Sequence, residues 1–429
     1  MLCMVFLIFQ SDMRGGPPPS PEGRFSMNYK VIALLILAAV FLYRALLSLI
    51  QYRSADNPVP ANVRDVYDAE TYAKWRRYHA EKCRLSLVTG AVTLAVELAL
   101  ILTDLYAAFA GLFPDTPFMQ MFAVLLLNTL SELATLPVSY YDTMVIEARY
   151  GFNRTSRKTF AVDAVKELVI SLVISTAIGG LVMVTHQALG DRMILVLAGA
   201  LTALVLGIAF LYPYFSRVFN RFTPLEAGEL RDRLTDLLGR HGYTVRAIQV
   251  MDASRRSTKS NAYFSGFGKT KTIVLYDTLV QAMTVDEICA VFAHEMGHGL
   301  HRDTLKNQVM SFIRMLLLAA LAFLILRTAA IFPDFGFRGI NYGFALVLIM
   351  LAFSLVSPLF DLLANALSRR AEFRADAQAV QEGCGDALVS ALRKLARENF
   401  AELAPSPLLV KLEYSHPPLS ERIRAINGK

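Results

Sequence analysis

The sequence predicts a mostly α-helical, multi-pass membrane protein with about seven transmembrane helices and a polar domain that contains a small β-sheet. Three observations support this fold class. Of the 429 residues, 55% are hydrophobic and the mean hydropathy is +0.42, which is too apolar for a water-soluble protein of this length. Seven windows reach the length of about 20 apolar residues that a membrane-spanning helix needs. Long polar segments separate or follow these windows.

The order of the windows predicts the domain organisation. The windows lie at 31–50, 85–111, 118–138, 166–186, 192–212, 308–332 and 342–364. The predicted segments are an N-terminal extension at 1–30, helices one to five at 31–212, a first polar part at 213–307, helices six and seven at 308–364, and a second polar part at 365–429. The opening run "MLCMVFLIF" is too short to span a membrane and lacks a basic leader, so Met27 is an alternative start.

Lysine and arginine are distributed unevenly between the two sides of the predicted spans. The segments 51–84, 139–165, 213–307 and 365–429 hold 34 of them, whereas the segments on the other side hold 4. The positive-inside rule therefore predicts that the polar parts are cytoplasmic. The net charge of +7 is explained by topology and by attraction to anionic lipid headgroups. No nucleic-acid-binding module accompanies the basic residues, so no nucleic acid partner is expected.

The first polar part is predicted to contain a helix followed by strands. The helix covers "TPLEAGELRDRLTDLLGRHG", with Thr223 as its cap, Pro224 in its first turn and Gly242 at its end. Three alternating runs, "TVRAIQVMD", "NAYFSGFG" and "KTIVLYD", predict a small antiparallel sheet. The second polar part is predicted to form two or three helices.

The stretch "TVDEICAVFAHEMGHGLHRD" has the residues of a metal site. Thr284 and Glu287 form a capping-box pattern, which predicts that a helix begins there. On this helix His294 and His298 lie one turn apart, so both imidazoles can bind one ion. Glu295 is offset by one position and can reach a water molecule on that ion. This H-E-x-x-H pattern is typical of zinc peptidases, in which the glutamate is the general base. The alternative is a solvated helix face with two ordinary histidines.

A catalytic zinc needs a third protein ligand. His301 is a poor candidate, because three side chains of one helix cannot easily surround one ion and the segment departs from the extended three-histidine motif. Within "NALSRRAEFRADAQA", Glu372 and Asp376 lie one turn apart, so the glutamate can bind zinc while the aspartate orients a ligand histidine. The alternative is two surface carboxylates beside arginines. Two predicted spans separate His298 from Glu372, and two crossings return the chain to the side it left.

Together these motifs resemble those of the type I CAAX prenyl proteases, which are integral-membrane zinc peptidases of the gluzincin group. The blocks that carry the resemblance are "LPVSYYDTMVIEARYGFNRTS", "SNAYFSGFG", "IVLYDTL", "AHEMGH", "NALSRRAEFRAD" and "YSHPPLSERI". They agree in order and span 136–423. The resemblance implies seven helices that enclose an intramembrane chamber, with the zinc domain closing its cytoplasmic end.

The resemblance also implies roles for individual residues. It makes His294, His298 and Glu372 the ligands of one Zn²⁺ per chain. It makes Glu295 the base and proton shuttle, and Asp376 the partner of a ligand histidine.

Further matched positions are expected to contact the substrate. Asn261 and Ala262 match the strand beside the substrate, where an edge strand can bind an extended peptide. Asn365 and Arg369 match polar residues that hold the substrate backbone and a local ion-pair network. In the last block, His416 matches the histidine that stabilises the oxyanion, supported by Arg422. Local sequence alone favours a turn histidine at 416, because two prolines follow it.

The predicted function is therefore a zinc endopeptidase that cleaves near the C-terminus of prenylated or other membrane-associated peptides. Membrane lipid is the second expected partner. The chain shows no C-terminal lysine-based or KDEL-type signal, which favours a bacterial-type cell membrane. The natural substrate, the cleavage register and the oligomeric state do not follow from the sequence.

Two other function classes remain open. A membrane-protein quality-control endopeptidase of the heat-shock type would share the ligands and cleave unprenylated substrates. A transporter or scaffold with a degenerate zinc site is the non-enzymatic alternative. Transporters pair ionisable groups near the midplane, whereas the sequence suggests no pair among the charged residues of the spans, which include Arg44, Glu97, Glu132, Arg314 and Arg327.

Overall fold

The membrane part consists of long apolar helices. The computed structural model describes residues 28–428 except 256, 260 and 266–269, so most of the predicted N-terminal extension lies outside the described residues. Six helical stretches are long and apolar enough to cross a membrane. One of them, Arg157–Leu211, has 55 residues, or about 80 Å of helix, which is far more than one crossing requires. It contains two helices joined by a 3-10 turn at Gly190–Arg192, which correspond to the two windows predicted at 166–186 and 192–212.

The α-helices are numbered here in chain order. They are α1 Tyr29–Ser54, α2 Ala69–Leu102, α3 Leu105–Ala110, α4 Pro117–Ser131, α5 Leu136–Tyr141, α6 Ala148–Tyr150, α7 Arg157–Leu189, α8 Met193–Phe219, α9 Glu229–Arg240, α10 Asp277–Ala282, α11 Val285–Leu300, α12 Asp303–Arg327, α13 Tyr342–Gln381, α14 Gly385–Glu398, α15 Pro407–Leu412 and α16 Leu419–Ile426. A π-helical turn at Asp142–Glu147 links α5 to α6.

The sheet of the polar part has four strands among the described residues. They are β1 Phe222–Pro224, β2 Thr244–Met251, β3 Ala262–Ser265 and β4 Thr270–Tyr276, in the order β1-β2-β4-β3. β2 and β4 are parallel, which corrects the prediction of a purely antiparallel sheet. The order of the strands explains this. After β2 the chain first forms β3 at the edge of the sheet. It then turns back, and β4 enters between β3 and β2, antiparallel to β3 and parallel to β2.

The first helix of the polar part begins later than predicted. Thr223 lies in β1 opposite Val250 of β2 and does not cap a helix. The helix α9 begins at Glu229, after Gly228 at the N-cap. Strand pairing at 222–224 therefore overrides a local cap signal, as tertiary contacts often do with weak sequence preferences.

The helix α11 is buried between the sheet and the other helices of the polar part. Its apolar face includes Phe292 and Met296, which share a core with Leu234 of α9 and Leu275 of β4. Its opposite side lies close against α13. A Cβ atom at Gly297 would come within 2.8 Å of the Cα atom of Ala375, so only glycine allows this approach. The crossing brings the H-E-x-x-H segment beside the end of α13.

A cavity of about 670 Å³ lies among the membrane helices. Its lining comes from α1, α2, α4, α7 and α13 and includes the charged residues Arg44 and Glu97. This cavity agrees with the chamber that the resemblance implies. Elsewhere in the spans, Arg314 of α12 forms an ion pair with Asp361 of α13, so the expectation that the charged residues of the spans form no pair is wrong for Arg314.

The segment before β3 is attached to the membrane part. Thr258 donates its backbone N–H to the carbonyl oxygen of Phe152 over 3.2 Å. The Lys259 ammonium lies 5.0 Å from the centre of the Phe152 ring and 3.6 Å from Glu147 of the π-helical turn. Glu147 also accepts a hydrogen bond from the Tyr78 hydroxyl over 2.7 Å. These contacts fix the position from which β3 starts.

Candidate metal centre

The start of α11 is fixed by the predicted capping box. The Thr284 hydroxyl accepts from the backbone N–H of Glu287, and the Glu287 carboxylate accepts from the backbone N–H of Thr284. Glu287 also accepts hydrogen bonds from Ser390 and Lys394 of α14, each over 2.6 Å. Burial favours the neutral acid, but the bonds from Lys394 and Ser390 outweigh it and lower the pKa of Glu287 below its ordinary value. The prediction of a helix start at this position is confirmed.

His294, His298 and Glu372 meet at one point. Each offers one ligand atom, and these atoms lie within 4.8 Å of one another. The Nε2 atoms of His298 and His294 lie 3.3 and 3.6 Å from the two carboxylate oxygens of Glu372. This proximity agrees with the prediction that two crossings return the chain to the side it left, because α12 and α13 separate these residues in the sequence.

The donor set fits a divalent cation. Glu372 is 4% exposed, and its Oε2 atom accepts no hydrogen bond from any described residue. The Arg422 guanidinium lies 3.4 Å from this oxygen without a hydrogen bond to it, and a cation bound directly to the oxygen would reduce the cost of burying it. Two imidazoles and one carboxylate are also a donor set of catalytic metal sites. The three side chains can therefore hold a metal ion.

Carboxylates orient both histidines. Nδ1 of His294 lies 2.8 Å from Asp376, and Nδ1 of His298 lies 3.2 Å from Asp303. A proton on each Nδ1 leaves the lone pair of Nε2 directed at Glu372, as in metal-binding histidines generally. Burial alone would lower the pKa of His298, but the hydrogen bond and charge of Glu372 outweigh this effect and raise it.

Sequence reasoning identified Asp376 but missed Asp303. Asp303 is 4% exposed and also binds Lys306 and Arg374, at 2.9 and 2.8 Å. It opens α12 directly after Arg302, whose backbone is left-handed with φ 56°. The only signal in the sequence is an acidic residue five positions after His298.

Glu295 and His416 lie at the accessible side of this group. Glu295 is partly exposed, its carboxylate forms no hydrogen bond with another described residue, and its charge acts on His298. The His416 side chain is 65% exposed, and its Nε2 atom lies 3.4 Å from Glu372. His301 caps the end of α11 and is not a member of the group of possible metal ligands.

Comparison with known proteins identifies the family. Residues 48–221 match the family model described as "CAAX prenyl protease N-terminal, five membrane helices", and residues 224–429 match that of Peptidase family M48. The chain belongs to peptidase family M48.

Similar proteins align with this M48 peptidase over nearly its whole length. It is 33% identical to "CAAX prenyl protease 1 homolog" of Arabidopsis thaliana, over 93% of this chain and 97% of the relative. It is 30% identical to "CAAX prenyl protease 1" of Saccharomyces cerevisiae, over 94% and 96%. Its fold is similar to the crystal structure of S. mikatae Ste24p, with a TM-score of 0.88 and 28% identity over 96% of this chain and all of the other. These matches confirm the family resemblance and the predicted fold class. They also confirm the activity class, which is that of a membrane metallo-endopeptidase.

Arg422 of this M48 peptidase lies behind the metal ligands. Its guanidinium holds Asp376 with two hydrogen bonds of 2.6 and 2.9 Å, and its Nη1 atom lies 3.4 Å from Glu372. The residue is 9% exposed. Buried carboxylates of the site occupy its donors, which suits a positioning role, and contact of Arg422 with substrate stays a prediction.

Asn365 and Arg369 hold the segment that leads to His416. The Asn365 amide donates to the carbonyl oxygen of Leu412 over 2.9 Å. The Arg369 guanidinium donates to the carbonyl oxygens of Val410 and Tyr414, over 2.8 and 2.6 Å. Among the described residues Arg369 forms no ion pair, so the expected local ion-pair network is not observed there. These contacts position α15 and the chain that follows it.

Asn261 and Ala262 lie where an extended peptide could pair. Ala262 pairs with Leu275 of β4, and β3 is the last strand of the described sheet. Asn261 is exposed and accepts the backbone N–H of Ala262 through its side chain over 2.8 Å. This edge position agrees with the expectation that an extended substrate pairs with the strand. Contact between the substrate and Asn261 or Ala262 stays a prediction.

Proposed function

We propose that this M48 peptidase is a zinc-dependent CAAX prenyl protease that cleaves the C-terminal end of prenylated proteins. The observation that carries the proposal is the meeting of His294, His298 and Glu372, the last of which lies on α13, a helix that also lines the membrane cavity. Relatives named as CAAX prenyl proteases align with this chain over nearly their whole length, which supports a shared substrate class.

Zinc is the metal that the donor set supports best. Two imidazole nitrogens and one carboxylate form the ligand set of well-characterised zinc peptidases, which leave one position for water. Zn²⁺ bound there would supply Lewis-acid chemistry that makes a water molecule more acidic and polarises a peptide carbonyl.

The remaining steps belong to the side chains of this chain. Glu295 accepts the proton of the attacking water and then delivers it to the amine that leaves. The Nε2–H group of His416 donates a hydrogen bond to the carbonyl oxygen as negative charge develops there. Asp376 and Asp303 keep the two ligand histidines in the required tautomer. The outer edge of β3 binds the peptide in an extended conformation.

The membrane setting suits a substrate with one apolar end. The cavity of about 670 Å³ among the membrane helices has the volume to bind an isoprenoid chain. The excess of lysine and arginine on the side of the polar parts supports a cytoplasmic site. The bacterial-type membrane stays a prediction without support from the relatives described above, which are eukaryotic. The segment boundaries also stay predictions.

The proposal is tested with purified protein in detergent. We expect about one zinc per chain and hydrolysis of a farnesylated CAAX peptide, with much slower hydrolysis of the same peptide without farnesyl. Glu295→Gln should keep zinc and bind the peptide, while its kcat falls by about 10²- to 10⁴-fold. Equal cleavage of both peptides would instead support a quality-control endopeptidase.

A further inference from the structure

A second cavity, of about 840 Å³, lies between the metal-site ends of α12 and α13. It begins at His298 and Glu372, two members of the metal group. From there it follows residues 304–314 of α12 and 360–374 of α13. We refer to it as the α12–α13 groove. A molecule bound in this groove would therefore lie beside two of the three candidate ligands.

The α12–α13 groove has an excess of positive charge. Lys306 and Arg374 share the single carboxylate of Asp303, and Arg314 pairs with an aspartate of α13. Arg370 is exposed and lines the same groove, yet none of the described carboxylates pairs with it. This arginine is therefore available to bind an anion.

The groove has the dimensions and the walls for a short peptide. It follows α13 for 12 residues before Glu372, or about 18 Å of helix, whereas three extended residues span about 10 Å. Apolar side chains, among them Val309, Phe360 and Leu367, form much of its wall. Such a wall suits aliphatic side chains, while a guanidinium suits a carboxylate.

We propose that the α12–α13 groove binds the residues on the C-terminal side of the cleaved bond, and that Arg370 binds their terminal α-carboxylate. The inference rests on the proposed function, since a protease that removes a short C-terminal segment always has a free carboxylate near its site. Recognition of that carboxylate would determine how many residues are removed. An anionic lipid headgroup has similar charge, but a lipid in this groove would occupy the approach to the ligands.

Binding to an inactive form tests the inference without hydrolysis. In Glu295→Gln protein loaded with zinc, the affinity of a farnesylated peptide with a free C-terminus is compared with that of its C-terminal amide. We expect the acid to bind about 10- to 100-fold more tightly, the range of a charge-assisted hydrogen bond. Adding Arg370→Gln should remove this preference by weakening binding of the acid only, whereas Arg370→Lys should keep part of it.

Arg338 provides a matched control. It is an exposed arginine in the loop that joins the opposite ends of α12 and α13, and none of the described carboxylates pairs with it. Arg338→Gln should leave the preference for the acid unchanged. Zinc content and melting temperature should be the same in all four proteins, which separates loss of recognition from loss of folding.

The other outcomes are decisive as well. Equal binding of acid and amide by the parent, or a preference that survives Arg370→Gln, would overturn the inference. If Arg370→Gln instead reduces binding to phosphatidylserine vesicles and keeps the preference for the acid, the groove is a lipid site. The active enzyme tests the proposed function separately: no cleavage of the farnesylated acid refutes that function, whereas equal cleavage of acid and amide refutes only the role of Arg370.

Discussion

Each histidine of the metal group has one nitrogen fixed by a carboxylate and the other directed at Glu372. Asp376 and Asp303 provide these carboxylates, and both are almost fully buried. Basic side chains in turn bind the two aspartates. The positions of the histidines therefore depend on the aspartates and on the basic residues behind them. Such supporting contacts typically change metal affinity by about 10- to 100-fold when they are removed.

The first prediction concerns metal binding. Replacing His294, His298 or Glu372 with alanine should remove nearly all zinc, because three protein ligands are needed. Asp303→Asn should weaken zinc binding by about 10- to 100-fold without abolishing it. His301→Ala is the control and should retain the metal. Metal analysis after dialysis against a chelator measures each value, and full occupancy in Glu372→Ala would refute the ligand set.

The second prediction concerns His416. Its side chain is 65% exposed but lies 3.4 Å from Glu372, so it has little packing to lose and is close to the reacting atoms. His416→Ala should lower kcat by about 100- to 1,000-fold, with a much smaller change in KM. Zinc content and melting temperature should stay near the wild-type values. An unchanged kcat would reduce His416 to the turn residue that its neighbouring prolines suggest.

At the scale of elements, the site depends on how closely α11 and α13 approach. The approach is possible because the H-E-x-x-H segment contains glycine at 297, where a Cβ atom would lie 2.8 Å from the backbone of α13. Glycine at 299 differs, since the nearest atom to its Cβ is the movable hydroxyl of Tyr243, at 2.7 Å.

The third prediction compares these two glycines. Gly297→Ala should push α11 away from α13, lower stability by about 1 to 3 kcal/mol and weaken zinc binding, because His294 and Glu372 lie on the two separated helices. Gly299→Ala adds the same methyl group but should keep the metal, since the Tyr243 side chain can turn away. Melting temperature and zinc content test both variants. Equal loss of zinc in the two would show that helix separation is not the cause.

The fourth prediction concerns the pH dependence of the α11–α14 contact. The folded pKa of Glu287 is lowered from its ordinary value of 4.5, so its stabilising effect is complete above that value and is lost as pH falls through the folded pKa. Glu287→Gln should therefore lower stability by about 1 to 3 kcal/mol at pH 7. The difference in melting temperature from wild type should shrink in acid. A difference that is constant between pH 7 and pH 3 would contradict the assignment.

At the scale of the whole molecule, two distant polar parts form one site because pairs of crossings return the chain to the same side. The candidate ligands come from α11 and α13, and Arg422 reaches the same group from α16. The loop between α12 and α13, which contains Arg338, must then lie on the opposite side of the membrane.

The fifth prediction tests this topology. In a variant without native cysteines, Lys411→Cys lies on α15 near the metal group and Arg338→Cys lies in the opposite loop. An impermeant thiol reagent should label position 338 in intact cells and position 411 only after the cells are opened, because the basic polar parts are predicted to be cytoplasmic. The reverse pattern would invert the proposed orientation.

Local signals predicted the individual parts of this protein well. Apolar length predicted the long helices of the membrane part, and the pair Thr284 and Glu287 predicted the start of α11. Both signals act over one or a few helical turns, so neighbouring residues are sufficient to produce them. The same local reasoning failed at Thr223, where a cap-like residue pairs with β2 instead.

The sequence by itself determined a membrane protein with two histidines and a glutamate on one helix, because helical period and apolar length are properties of contiguous residues. The one-turn spacing of Glu372 and Asp376 made them candidates, and the resemblance assigned their roles. Only the tertiary structure decided that Asp303 orients His298, that Arg422 lies behind the ligands and that the central strands are parallel. These features join residues separated by turns, crossings or whole helices, and their distances depend on how the helices pack, which no local pattern encodes.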